Sequence, residues 1–156
     1  MNDDTRLRQL ADLWRERDPV PDGLVGRMQA VARAEVDLLA TDWDHELLEL
    51  VERSTELAGA RGTSTSLTLR YTGVDLDVLV RVGPSTDAPR IDGWVVPPLP
   101  TVVRPLHPDG SAAGAPATVG EEGRFVLVDL RPGLVRLALE PTDPQHASFV
   151  TPTFEI

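Results

Sequence analysis

Apolar positions recur every three or four residues up to about residue 58 and alternate after about residue 64. Leu7, Leu10, Ala11 and Trp14 fall at i, i+3, i+4 and i+7, the stripe of an amphipathic helix, and predict a first helix over about 4–17. "DPVPDG" breaks it. Asp22 can cap a second helix from about Gly23 to Ala40, whose apolar face carries Leu24, Val25, Met28, Val31, Ala32 and Leu39. "TDWD" is a joint rich in capping residues. A third helix over about 43–57 would place Leu47, Leu50, Val51 and Leu57 on one side. The same segment, "ELLELVE", also reads as a buried strand, and both readings stay open.

Beyond "AGARG" the period is two. "SLTLRYTGVDLDVLVRV" reads as a hairpin. A two-residue turn at Thr72-Gly73 would pair Tyr71 with Val74, Leu69 with Leu76 and Leu67 with Val78 on an apolar face, and Arg70 with Asp75 and Thr68 with Asp77 on a polar one. Thr is a poor first residue for a type I′ turn, which needs φ > 0, so a longer or bulged turn is the alternative. "PRIDGWVV" and "TVVRPL" read as strands, with prolines that mark an edge or a crossover, and "HPDGSAAGAP" as a loop. In "GEEGRFVLVDLRPGLVRLALEP", Gly120 and Gly123 precede a β-branched and aromatic run instead of a helix, which excludes a phosphate-cradling loop. Gly120 to Gly123 is a turn, Phe125 to Val128 an interior strand apolar on both faces, and Arg131-Pro132-Gly133-Leu134 a type II turn with Gly at φ > 0. Val135, Leu137 and Leu139 then alternate with Arg136, Ala138 and Glu140, a half-buried strand, and "FVTPTFEI" closes the chain as the last. About seven short strands with turn signals between them fit a β-sandwich. The fold class expected is α+β, N-terminal helices followed by an antiparallel sandwich: an acidic helical region over 1–58 and the sandwich over 59–156.

Composition narrows the roles. Cysteine is absent from the 156 residues, which removes disulfides, thiol nucleophiles and thiolate metal sites. The net charge of −10 speaks against a duplex nucleic-acid binder. Residues 1–56 hold 14 acids against 7 arginines, net −7, and every cation in the chain is Arg. No apolar run reaches the length of a membrane helix. The N-terminal stretch has neither the basic nor the apolar region of a signal peptide, so a cytoplasmic protein is expected.

With these residues read, "DGSAAGAPATVGEEGRFVLVDLRPGLVRLALEP" resembles the carboxypeptidase regulatory-like (transthyretin-like) β-sandwich, through Asp109-Gly110, Gly123-Arg124-Phe125 and Pro132-Gly133. Leu134-Val135 stands where an aromatic commonly closes that unit. The resemblance implies a non-catalytic module. The whole chain also resembles small proteins of high-GC bacteria that share a "DPVPDGLV" start, an "IDGW" strand and a "TP–E–hydrophobic" end. That resemblance implies a place beside alternative sigma factors and hence regulation.

Three functional readings follow. Asp42, Asp44, His45, Glu46 and Glu49 form the densest polar group. With His45 and Glu49 at i, i+4 of a helix, they could hold a cation for a metal hydrolase; the plainer reading is helix capping and a solvated acidic face. No serine lies in G-x-S-x-G, Asp75 and Asp77 share a solvent face, and His107 and His146 sit in loops without an evident partner. The expectation is therefore a non-enzymatic regulatory protein with no cofactor and no metal, whose acidic helices meet a basic protein partner. Trp14, Asp42, Trp43, Asp44, Glu46 and Glu49 are the interface candidates. Trp14 and Trp43 read first as core, filling the seam between helices and sandwich, and as interface anchors if exposed; Trp94 reads as sandwich core. An anti-sigma-like role is one form of this reading, though not the zinc-binding form, which needs cysteines. The alternative is a sandwich whose loops near "HPDGSAAG" hold a small ligand or peptide.

Overall fold

The computed structural model describes residues 3–17, 19, 21–41, 45–57, 65–83 and 88–156. The chain divides into two compact units, Met1–Ala32 and Arg33–Ile156. It is a mostly β fold with N-terminal helices. The helices are α1 (Asp3–Arg17) and α2 (Leu24–Thr41). Gly23, at a φ of +77°, turns the chain into α2: the turn before the helix closes with Leu24 N–H donating to the Pro21 carbonyl (3.1 Å), and the first turn of α2 with Arg27 N–H donating to the Gly23 carbonyl (2.9 Å).

Residues 45–47 and 49–57 are strand and not helix, but "ELLELVE" is not the buried strand of its other reading: only Leu48 is buried, and Leu47, Leu50 and Val51 are exposed. β1 (His45–Leu47) and β2 (Glu49–Leu57) flank Leu48, which is fully buried. Glu and Leu are good helix formers, but helix propensity is worth only fractions of a kcal/mol per residue. Here pairing of β2 along β3 (Thr65–Thr72) and burial of Leu48 outweigh that preference. The helical part of the chain thus ends at Thr41, before the acid-rich segment.

The remaining strands are β4 (Asp77–Gly83), β5 (Arg90–Val96), β6 (Thr101–Leu106), β7 (Ala117–Thr118), β8 (Arg124–Leu127), β9 (Leu134–Pro141), β10 (Ser148–Val150) and β11 (Phe154–Glu155). They are more numerous and shorter than the seven expected. One sheet runs β1-β10-β9-β6-β7, with β11 also on β9; the other runs β2-β3-β4-β5-β8. Pairing is antiparallel except between β1 and β10, which are parallel. The chain passes between the sheets at Leu48, between β5 and β6, and on both sides of β8. One apolar cluster draws on both sheets: Leu69, Tyr71, Val78, Val80, Ile91 and Phe125 from one, Val103, Val135, Leu137 and Leu139 from the other.

The β3–β4 hairpin keeps its faces but not its expected register. Thr72 pairs with Asp77 and Tyr71 with Val78, and Gly73 N–H donates to the Leu76 carbonyl (2.7 Å). The loop is four residues, Gly73 to Leu76, because a β-branched Thr cannot take the φ > 0 of a two-residue turn. The partner shifts by four, an even number, so Leu67, Leu69 and Tyr71 stay on one face. β8 lies at a sheet edge, where Val128 is 50% exposed, and is not the interior strand expected from its apolar run.

The C-terminal segment also departs from a single strand. Pro152 has no N–H, and the segment splits into β10 and β11 around it. Thr151 fills the gap: its hydroxyl accepts the Leu137 N–H (3.0 Å), and its own N–H donates to the Leu137 carbonyl (3.0 Å). Beyond β11, Ile156 exchanges two hydrogen bonds with Gly133 (3.0 Å each). Gly133 has the positive φ expected of the Pro-Gly corner, +130°, and a Cβ there would meet nothing within 4 Å. Gly133→Val therefore carries only backbone strain, an expected loss of about 1–3 kcal/mol. A thermal midpoint equal to that of the parent protein would rule this out.

Candidate functional site

The apolar stripe read on α1 is solvent-facing. Leu7 is 66%, Leu10 56% and Trp14 62% exposed, and on α2 Val25 and Met28 are 59% and 64% exposed. Trp14 is thus exposed on α1 and not the core residue its first reading expected. Stripes of this kind on one helix face are docking surfaces when a partner covers them.

The acidic candidates are distributed differently from the helical reading. Asp42, Trp43 and Asp44 lie outside the described residues. Glu46 is half-buried on β1, and its Oε1 accepts the Val74 N–H (3.1 Å), tying β1 to the β3–β4 loop. Glu49 is exposed on β2. His45 and Glu49 therefore do not share a helix face: they stand on strands of different sheets. Charge moves with the boundary. α1 carries four acids and four arginines, and α2 two of each, whereas residues 42–56 carry six acids against Arg53 alone. The net negative charge of the N-terminal half thus belongs mainly to β1, β2 and the segment before them. β2 is a sheet edge, with Val51 in a bulge between Leu50 and Glu52. Leu50 and Val51 are 41% and 48% exposed there, so the edge presents apolar groups between carboxylates.

The outer face of the second sheet holds a polar constellation that the sequence reading missed. Along β5, Ile91, Gly93 and Val95 point inward, so Trp94 faces out and is only half-buried, not sandwich core. Arg124 on β8, directly opposite, lies over its ring with the guanidinium carbon 5.7 Å from the centroid. Asp92 accepts from Arg90 Nε (2.9 Å) and Nη2 (3.1 Å) and from Arg124 Nη2 (2.8 Å). The Arg90 guanidinium, reinforced by Arg124, holds the Asp92 carboxyl below the usual carboxylate range, so it is ionised at neutral pH. Farther along the same sheet Arg70 pairs with Asp77 (2.8 Å). The signal was present: with Gly93 inward, period two alone places Arg90, Asp92 and Trp94 together.

The other candidates are occupied locally. His107 bonds through Nδ1 to the Leu134 carbonyl (3.1 Å), and Asp109 accepts from the Ser111 N–H (2.9 Å) and hydroxyl (2.6 Å). The polar groups of "HPDGS" are thus engaged, Asp109 and Ser111 within their own turn and His107 on the start of β9. Among the described residues no three His, Asp or Glu side chains gather as metal ligands, and no helix is long and apolar enough to cross a membrane. One buried group stands out. Arg136 on β9 is 5% exposed, and its Nε and Nη1 have no hydrogen-bond partner among the described residues. The alternating pattern assigned it to a solvent face, but β9 is buried on both faces from Val135 to Leu139. Comparison with protein-family models, with curated proteins and with solved structures finds no match for this chain.

Proposed function

We propose that this chain is a non-enzymatic, cytoplasmic interaction protein, in which a β-sandwich of carboxypeptidase regulatory-like type carries an apolar helical anchor for a basic protein partner. An anti-sigma-like role is one form of it. The observation that carries the reading is Trp14, 62% exposed in line with Leu7 and Leu10 on one face of α1. A tryptophan so placed gains most by burial against a partner, and buried aromatic anchors dominate interface energetics. The apolar cluster shared by the two sheets supports the sandwich. The carboxylates of residues 42–56 supply long-range attraction for a basic surface. In this scheme charge governs encounter and Trp14 governs residence.

The test begins with capture of the partner from native lysate on the full chain, followed by binding kinetics. Trp14→Ala is expected to raise the off-rate about 30-fold, equivalent to about 2 kcal/mol, with an unchanged thermal midpoint. Reversing Glu49 and Glu52 to Lys should chiefly lower the on-rate. The parent on-rate should fall with salt, as the Debye length shrinks from about 10 Å at 0.1 M to about 3 Å at 1 M. Removal of residues 1–41 spares β1 and β2. Full binding by that truncated chain, or loss of stability in Trp14→Ala, would sink the proposal.

A further inference from the structure

Positive charge collects on one surface of this acidic protein. Arg81 on β4, Arg90, Asp92 and Trp94 on β5, and Arg124 on β8 line, with Gly83, a shallow pocket of about 310 Å³. Cross-strand register builds it: Arg81 stands opposite Asp92, and Trp94 opposite Arg124. Directly opposed side chains on one sheet face lie about 5 Å apart at Cβ, so these groups are near neighbours.

The charges do not cancel. Among the described residues Asp92 is the only carboxylate lining the pocket, and both of its oxygens accept, Oδ2 from Arg90 and Oδ1 from Arg90 and Arg124. Three of its roughly four acceptor sites are used by those two arginines, and Arg81 makes no ion pair among the described residues. Among the described lining residues, three guanidiniums against one carboxylate leave a formal +2. Asp92 and the Trp94 ring also restrain the heads of Arg90 and Arg124, which reduces the ordering cost of binding. Gly83 leaves one wall without a side chain.

We infer that this pocket binds a phosphate-type dianion, held by Arg81, Arg90 and Arg124. Guanidinium forks match phosphate oxygens in pairs, which an ammonium cannot do, and a charge of −2 balances the pocket. The volume is at the small end of ligand sites, about 300–1,000 Å³, which suits a phosphate group with a small organic body. Free phosphate and a phosphate monoester share this chemistry.

The experiment titrates the full chain, in a buffer free of phosphate and at constant ionic strength, with inorganic phosphate in one arm and O-phosphoserine in the other. The arginine Nε–H resonances and tryptophan fluorescence are followed. Saturable binding is expected at about 1 mM or tighter. Arg81→Gln should weaken it at least about tenfold, through loss of a charged bidentate donor. Arg104→Gln, which breaks an exposed pair with Glu140 on the other sheet, should leave it unchanged. Asp92→Asn should tighten it, because the pocket then gains a charge; a carboxylate acting only as a structural clasp would not give that sign. Equal affinity in both arms assigns the site to the free anion, and preference for phosphoserine assigns it to an ester. The inference falls if neither probe saturates, if binding vanishes once chloride matches the ionic strength, or if Arg81→Gln binds as the parent does.

Discussion

Gly93→Val is expected to cost about 3–5 kcal/mol and to lower the thermal midpoint by roughly 10 °C, at 2–4 °C per kcal/mol for a chain of this size. Gly93 lies on the inward face of β5, between Val80 of β4 and Phe125 of β8. Any Cβ at this position would fall inside the Phe125 ring. That ring is 2% exposed and sits in the shared apolar cluster, so it has no solvent side to move toward. Overpacking a dense core usually costs about 1–3 kcal/mol. Here the displaced group is itself a core aromatic, whose contacts are also lost. A double-mutant cycle isolates the cause. Phe125→Leu alone should destabilise, yet in a Gly93→Ala background it should destabilise less, because the smaller side chain makes room for the methyl. Strict additivity of the two, measured by denaturant unfolding, would show that ring and glycine do not compete for one space.

The same pair shows how much of the fold the sequence discloses. Period two in "RIDGWVV" marks the strand, and the turn signals at Gly120 to Gly123 and at Pro132-Gly133 fall where the chain turns. These are local properties, fixed by residues within four positions of one another. What the sequence leaves open is non-local. Whether "ELLELVE" is helix or strand depends on β3, the strand it pairs with, and on the space that buries Leu48. Whether the run from Phe125 is interior depends on what lies beyond β8, and nothing pairs there among the described strands. The candidate surfaces follow the same division. The Leu7, Leu10 and Trp14 stripe was legible, being three positions on one helix. The Arg and Trp face was not singled out, because its members come from three strands separated by up to about forty residues. Moving the helix boundary to Thr41 also moved the acidic charge onto strands, which no charge count could show.

Arg136→Met is expected to stabilise the protein, by about 2–3 kcal/mol, and to raise the thermal midpoint by about 5–10 °C. Arg136 is central in its sheet, on β9 opposite Leu106 of β6, and is 5% exposed. Its Nε and Nη1 are buried with no hydrogen-bond partner among the described residues. Guanidinium cannot escape this cost by losing its proton, since it stays charged at any pH a folded protein meets. A buried cation without a partner for two of its three nitrogens is therefore a net penalty, several kcal/mol after relaxation where the burial is complete. Methionine keeps most of the aliphatic stem and fills irregular space without a charge. The companion variants fix the interpretation. Arg136→Lys keeps a cation in the same place and should bring no gain. Arg136→Ala removes the charge but opens a cavity, so its gain should be smaller than that of Met. A destabilised Arg136→Met would mean that the guanidinium is satisfied in solution, and that β9 uses the charge to hold its neighbours. The sign of that one measurement separates a tolerated defect from a structural ion.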